Sequence, residues 1–467
     1  MTLTVVILAA GKGTRMHSSM PKVLQPLAGK ALVEHVIDTA AELDPADIRL
    51  VYGYGAEAMK TALADRDLGW RLQAEQLGTG HAVKQALPGV PDEHRVLVLY
   101  GDVPLIRAET LRQLVDAAQT ANQGDGLALL TVMLDDPTGY GRILRDPQTG
   151  AVRRIVEQKD AGVEELKIRE GNTGILVARA GRLRDWLDQL DNDNAQGEYY
   201  LTDVVEAAAT AGIPVTTVQP AEMSEVEGVN DKRQLAARER DYQRRMADTL
   251  LRGGVTLMDP ERIDIRRATV SHGKDVEIDV NVILEGEIRL GDRVKIGPNV
   301  ILKNCALGDD TEIRANSLIE DGHVGRGCRI GPYARLRPGA RLGDGVHVGN
   351  FVEIKKSVVD DGSKVNHLTY VGDAEIGKHC NIGAGAITCN YDGAAKYLTK
   401  IGDDVFIGSN TALVAPIHVG DGATIGAGST LSRGVPAGKL TLSRPKAVTV
   451  ADWIRPKKNK NENKNKE

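Results

Sequence analysis

The chain has 467 residues, 42% apolar and 26% charged, with a net charge of −5; that length is too great for one ordinary core, so two or more domains are expected. Aromatic residues make up only 3% while glycine reaches 51, so the cores must be built from Val, Ile, Leu and Ala and the chain must turn often. No stretch approaches the roughly 18 apolar residues of a spanning helix, and the acidic balance lacks the basic face that a nucleic-acid partner calls for.

From the N-terminus, Thr2 to Ala10 has no basic lead-in and runs straight into Gly11-Lys12-Gly13. It reads as a strand entering a loop rather than as a signal peptide. Residues 5–10, 48–52, 96–100, 126–133, 173–178 and 213–218 are apolar runs of strand length, and helical patterns over 31–43 and 108–119 lie between some of them. Strand, crossover helix and strand again imply a mostly parallel sheet covered on both faces. Ligands of such sheets sit at the carboxyl ends of the strands, which points to the loops after Ala10 and Tyr100. The first domain is expected to end at residue 228. Residues 229–252 follow as a helical connector, stopped by Gly253-Gly254.

Beyond residue 253 the periodicity changes. Aliphatic residues recur six apart at Ile278, Leu284, Leu290, Ile296 and Leu302. After one-residue slips the series resumes as Leu307, Ile313, Ile319 and then as Val324, Ile330, Leu336, Leu342, Val348, Ile354. It returns at Ile376 and Ile382, and again from Ile401 through Ile407, Leu413, Val419, Ile425 and Leu431. A period of six fits neither an amphipathic helix nor an alternating strand; it is the hexapeptide repeat of a parallel β-helix. Three units make one triangular coil, and roughly ten coils at about 4.8 Å would stand about 45 Å tall. This domain is expected over 253–454, and the Lys- and Asn-rich tail, 455–467, is expected to be disordered.

The hexad is expected to fail between Ile354 and Ile376 and between Ile382 and Ile401, where Lys355-Lys356, His367-Leu368-Thr369-Tyr370 and Cys389-Asn390-Tyr391-Asp392-Gly393 fall. Residues that do not fit the prism must project as loops, where function tends to reside. Acyl transfer to an amine needs a base near neutral pH, and His367 lies in the first interruption, with Arg337, Lys355 and Tyr370 as candidate phosphate partners. A surface or turn histidine is the alternative. The four cysteines (Cys305, Cys328, Cys380, Cys389) form no CxxC pair, which suits a reducing compartment such as the cytoplasm. Zinc held by His379, Cys380 and Cys389 is conceivable but lacks ligand spacing.

Leu8-Ala9-Ala10-Gly11-Lys12-Gly13-Thr14-Arg15-Met16 follows the first strand. Its glycines let backbone N–H groups approach a phosphate. There is no GxxxxGK[ST], and GxGxxG fails because Met16 takes the third glycine position. Arg15 and Lys22, which follows Pro21, are two cations able to reach one polyphosphate, at about 1.5–3 kcal/mol for each charge-assisted contact.

These motifs resemble the signature of sugar-phosphate nucleotidyltransferases. The resemblance extends through Gln73-Ala74-Glu75-Gln76-Leu77-Gly78-Thr79-Gly80, Tyr100-Gly101-Asp102-Val103-Pro104-Leu105, Gly139-Tyr140-Gly141-Arg142, Glu157, Asn172-Thr173-Gly174 and Glu227-Gly228-Val229-Asn230. With the hexapeptide half, the chain from about Leu3 to Trp453 is similar to the bifunctional bacterial family that joins an N-acetylglucosamine-1-phosphate uridyltransferase to a glucosamine-1-phosphate acetyltransferase.

The resemblance implies a Rossmann-like α/β nucleotidyltransferase domain followed by a left-handed parallel β-helix, assembled as a homotrimer. It implies UTP contacts from Leu8, Ala9, Ala10, Gly11 and Lys22, uracil recognition by Gln73, Gly78 and Thr79, and further nucleotide-sugar contacts from Tyr100 and Gly101. Mg²⁺ would be held by Asp102 and Asn230, the sugar by Gly141, Glu157 and Asn172, and Arg15 and Lys22 would stabilise departing pyrophosphate. In the second half it implies His367 as the base. Arg337, Lys355, Tyr370, Asn381, Asn390 and Tyr391 would bind glucosamine 1-phosphate or acetyl-CoA, and Ala384, Ser409, Ala427 and Arg444 would line the acetyl-CoA groove. Asn230 read by itself is an ordinary helix N-cap, Asp102 a solvated loop carboxylate, and Glu353 either tunes His367 or is structural. A solenoid serving only as an oligomerisation prop, or a non-catalytic sugar-nucleotide sensor, are the competing readings.

Overall fold

The computed structural model describes residues 2–444 and 446–456, so Lys457 onward, most of the tail expected to be disordered, lies outside the described residues. The contacts divide the chain into two units, the first reaching Leu250 and taking in Ile263–Arg267, the second holding the remainder.

In the first unit the strands of the main sheet, in chain order, are β1 (Leu3–Leu8), β2 (Asp47–Tyr52), β3 (Gly69–Leu72), β4 (Arg95–Tyr100), β5 (Leu127–Met133), β6 (Gly141–Arg145), β7 (Val152–Val156), β8 (Glu170–Arg179) and β9 (Val215–Val218). The helices are α1 (Leu32–Ala41), α2 (Ala56–Ala62), α3 (Thr79–Ala86), α4 (Ala108–Thr120), α5 (Ala180–Leu187), α6 (Asp203–Thr210) and α7 (Lys232–Arg252). All six residues of β1 are buried, as a central strand covered on both faces requires. It pairs in parallel with β2 on one side and β4 on the other, and the sheet runs β9-β5-β8-β4-β1-β2-β3 with β6 and β7 attached beside β8. Long β8 departs from the parallel pattern, running antiparallel to both β4 and β5. Leu8 is aligned with Tyr100, so the loops after β1 and β4 leave the sheet side by side.

The connector helix α7 packs with the first unit: Tyr242 meets His35 edge-on, and the Gln243 amide both donates to Ile265 O and accepts from Ile265 N. Its N-cap is Asp231, whose Oδ1 accepts from the backbone N–H groups of Arg233 and Gln234. Asn230, the N-cap candidate by sequence, is thereby left outside the helix.

The second unit is a parallel β-helix whose strands stack in long parallel sheets, one of them eleven strands deep, consistent with the left-handed winding of hexapeptide repeats. Every aliphatic residue of the expected hexad series is buried. Each such side chain contributes about 1.5–3 kcal/mol on leaving water. Ile296, Ile313, Ile330, Val348, Val365 and Ile382 align in consecutive coils, a step of 17 or 18 residues.

That register corrects the first expected interruption. Val359, Val365 and Val371 fill the inward positions between Ile354 and Ile376, each at most 1% exposed, and His367 ends a regular strand, Lys364–His367. The hexad slips by one residue twice there, from Ile354 to Val359 and from Val371 to Ile376; it does not break. The second interruption is real. Thr388 takes the inward position six residues after Ile382, and the coil from Ile382 to its partner Ile407 then spans 25 residues. The surplus projects as a loop after Cys389.

Cys305, Cys328 and Cys380 are buried and all four cysteines are free. Burial pushes the Cys328 thiol up to about 11, in keeping with structural, unreactive thiols. Among the described residues no group of three His, Cys, Asp or Glu side chains is poised to hold a metal, so the zinc reading gains no support. Among those residues, too, no helix is long and apolar enough to cross a membrane.

The register carries a test. Val365→Asp places a charge inside the column and should abolish the cooperative melting of the second unit, as Ile354→Asp should; a projecting loop at 355–375 would tolerate it.

Candidate active sites

At the carboxyl ends of β1 and β4 lies a cleft of about 230 Å³, lined by Leu8, Ala9, Ala10, Gly11, Lys22, Gln73, Gly78, Thr79, Tyr100 and Asp102. Ten of the expected nucleotide-site residues thus converge, and Gln76 and Glu198 join them in the lining. Gly101 adjoins Asp102 and donates its N–H to Leu8 O at 2.9 Å, fastening the two loops together.

The charged centre is built by close approach. Lys22 Nζ donates to Asp102 Oδ2 and, at 3.2 Å, to Asn230 Oδ1, while Arg15 donates to the same Asn230 oxygen at 3.0 Å. Val229 N donates to Asp102 O at 2.9 Å, so the segment bearing Asn230 is pinned to the loop after β4. Two glycines set the position of Lys22. A Cβ on Gly13, whose φ is +60°, would lie 2.5 Å from Lys22 Cβ, and one on Gly55 would lie 2.3 Å from Cγ of Pro21. Because Asp102 and Asn230 present oxygens to one ammonium, both can reach a single cation. A carboxylate with an amide oxygen suits a hard ion such as Mg²⁺.

Gln73 Nε2 donates to Gly78 O at 3.0 Å. Gly78 has a structural task as well as its expected one, since a Cβ there would stand 2.6 Å from Tyr199 O. The expected sugar residues lie beyond Tyr100. Gly141 and Asn172 are paired across β6 and β8, and a Cβ on Gly141 would sit 3.4 Å from the Glu157 carboxyl carbon. Gly174 lets the Tyr100 ring approach to within 2.5 Å of where its Cβ would be. Burial, with Glu157 and Asp102 nearby, pushes the Tyr100 hydroxyl pKa up, so it remains a neutral donor. Burial also raises the Glu157 carboxyl, against a lowering hydrogen bond from Thr202.

Glu157 lines a second, acidic cavity of about 580 Å³ with Asp160, Trp186, Tyr200, Asp203 and Glu206. Burial, followed by the charge of Glu206, lifts Asp203 to about 6.

In the second unit His367 lies at a corner of the coil. Its Nδ1 is 3.1 Å from Asn350 Oδ1, and Thr369 Oγ1 donates to its carbonyl at 2.6 Å. With the amide oxygen as acceptor, Nδ1 carries the proton and Nε2 keeps a lone pair facing outward. Glu353 does not partner His367; it accepts from Arg337 at 2.9 Å and so acts on the phosphate-candidate arginine. Successive corners stack through backbone bonds: Leu368 N to Asn350 O, Gly385 N to His367 O, Asn410 N to Ala384 O and Gly428 N to Ser409 O. His367, Ala384, Ser409 and Ala427 therefore form one row along an edge, and Arg444 Nε donates to Ala427 O at 2.9 Å at its end.

Lys355 and Tyr370 share the face beside that edge, on strands Glu353–Lys355 and Tyr370–Gly372, with Arg337 just past the end of the neighbouring strand Arg335–Leu336. The projecting loop returns there. Asn390 Nδ2 donates to Asp373 Oδ2 at 2.5 Å, Tyr391 is 59% exposed, and Lys396 lies against Lys355, which lowers the Lys396 pKa. Lys396, absent from the sequence reading, adds a second ammonium to this patch. Asn381 is not brought to it: its strand pairs with Lys364–His367 and Phe406–Ile407 on the adjoining face.

Comparison with known proteins agrees with this division. Residues 5–146 match the MobA-like NTP transferase domain family, residues 267–349 the GMPPB C-terminal domain, and residues 398–433 the bacterial transferase hexapeptide repeats. A crystal structure of a UDP-glucose pyrophosphorylase complexed with UDP-glucose is similar over 52% of this chain and all of its own, at 16% identity and a TM-score of 0.44. The chain thus joins a nucleotidyltransferase domain to hexapeptide transferase repeats.

Two outcomes follow from the geometry. Gly13→Ala should displace Lys22 and weaken triphosphate binding about tenfold or more, the value of one charge-assisted contact, as read by titration calorimetry. Asp203 has its pKa raised by folding, so its stabilising share is complete below the unfolded pKa near 3.8 and is lost as pH rises through about 6. Asp203→Asn should accordingly melt higher than the parent at pH 8 and converge on it as pH falls below 3.8.

Proposed function

We propose that the first unit transfers a uridylyl group from UTP to N-acetylglucosamine 1-phosphate, and that the second transfers an acetyl group from acetyl-CoA to glucosamine 1-phosphate, supplying the first. The observation that carries this reading is the convergence of Lys22, Arg15, Asp102 and Asn230 at the carboxyl ends of two adjacent parallel strands.

In the uridylyl step the acceptor phosphate oxygen bonds to the α-phosphorus of UTP, and the α–β bridging bond breaks to release pyrophosphate. The nucleophile is already anionic, so no base is needed. Lys22 and Arg15 offset the charge on the leaving phosphates. Mg²⁺ held by Asp102 and Asn230 would draw the same phosphates together and neutralise part of their charge. Gln73, Gly78 and Thr79 are disposed to read the base, and Gly141, Glu157 and Asn172 the sugar.

In the acetyl step the amine nitrogen attacks the thioester carbon, His367 Nε2 takes the amine proton, and the CoA thiolate leaves and is protonated. A positioned base of this kind contributes about 10²–10⁴-fold. Arg337, Lys355 and Lys396 supply cations for the sugar phosphate, and the corner row from His367 to Arg444 gives acetyl-CoA a straight edge to lie along.

A convex edge cannot gather residues from both of its faces into one pocket, so a site using Asn381 together with Lys355 needs a second copy of the chain. Tyr333, Phe351 and Leu368 follow one another along this edge, 52%, 56% and 64% exposed, and form an apolar ladder suited to such packing in the trimer. The cytoplasm, which holds UTP and acetyl-CoA, is the compartment this chemistry needs.

The reading is tested by incubating the protein with glucosamine 1-phosphate, acetyl-CoA, UTP and Mg²⁺, omitting each in turn. His367→Ala should abolish thiol release and spare pyrophosphate release from N-acetylglucosamine 1-phosphate; Asp102→Ala should do the reverse. Either variant losing both activities would refute the division of labour.

A further inference from the structure

Two stretches far apart in sequence are laced together beneath the nucleotide cleft. Tyr199 N donates to Leu77 O at 2.9 Å, and Gly80 N donates to Tyr199 O at 2.8 Å. Leu201 N then donates to Thr79 Oγ1 at 3.1 Å, and Thr202 Oγ1 donates to Glu157 Oε1 at 3.2 Å. This lacing depends on absent side chains. A Cβ on Gly78 would lie 2.6 Å from Tyr199 O, and one on Gly80 only 2.7 Å from Cδ1 of Leu190. The strap 199–202 therefore runs from the loop that borders the base end of the cleft to the carboxylate at its sugar end.

We propose that Thr202 is a positioning residue for the acceptor sugar. Its hydroxyl holds the Glu157 carboxylate in one orientation, and Thr202 takes its own place from the Leu77–Gly80 loop through Tyr199 and Leu201. The inference rests on the uridylyl-transfer reading of the first unit. A carboxylate in a largely buried site accepts most strongly from sugar hydroxyls when it is ionised and aimed, and a hydroxyl donor favours both. Valine at 202 would keep the shape of threonine and remove the donor; serine would keep the donor and remove a methyl group.

The test uses the full chain. Thr202→Val should raise the KM for N-acetylglucosamine 1-phosphate about tenfold, the value of a hydrogen bond to a charged group, while kcat and the KM for UTP stay near the parent values. Thr202→Ser should restore the sugar-phosphate KM. Combined with Glu157→Gln, Thr202→Val should add no further loss, because the hydroxyl acts only through that carboxylate. An unchanged sugar-phosphate KM in Thr202→Val, a parallel rise in the KM for UTP, failure of serine to rescue, or additive losses in the double variant would each overturn the positioning role in an active parent. A parent that transfers no uridylyl group would overturn the reading beneath it as well.

Discussion

The Lys22 ammonium joins what the sheet alone leaves separate. The sheet delivers two loops side by side, but nothing in strand pairing decides where their side chains meet. Lys22, boxed in by Gly13 and Gly55, reaches the loop after β4 through Asp102 and the entry to α7 through Asn230. Three sequence-distant segments are thereby fixed around one charge. The arrangement also leaves each member partly satisfied by another, so bringing in phosphate or a divalent ion exchanges existing partners rather than exposing bare charges. That exchange costs less than desolvating an unpaired group.

The second unit obeys a different constraint. A column of triangular coils admits a narrow inward side chain at each hexad position, which the chain meets with Val, Ile and Leu and once with Thr388, and often a second buried side chain two residues before it, among them Cys328 and Cys380. All chemical variety is forced to the corners and outer faces. The corner row is where backbone with positive φ recurs, at Tyr333, Phe351 and Leu368 as well as at Asn299, Asn316 and Asn410. Asparagine tolerates that conformation, whereas bulky side chains are disfavoured there. Three bulky residues nonetheless follow one another along this row beside His367, against that local preference.

Much of this was legible in the sequence because repetition leaves a simple record: a hexad position does the same work in every coil, so its residue type hardly varies. The misread stretch, 355–375, fails for a related reason. Two one-residue slips, with valine where isoleucine or leucine usually stands, hid Val359, Val365 and Val371 behind the more conspicuous lysines and His367. The nucleotide cleft was readable where one segment carries the motif, as in Leu8 to Met16. The strap 199–202 was not, because Leu201 and Thr79 are 122 residues apart and a backbone donor has no sequence signature. Lys396 was likewise hidden: only the path of the projecting loop brings it to Lys355.

The scarcity of aromatic residues has an optical consequence. The three tryptophans are Trp70, which meets Tyr52 edge-on in the first unit, Trp186, buried in the wall of the acidic cavity, and Trp453, 66% exposed near the end of the described chain. The stacked coils themselves contain none. Two of the three indoles thus report on the nucleotide-binding half, and the third is already exposed and follows the last coil, so the solenoid can unwind with little change in the colour of the emission.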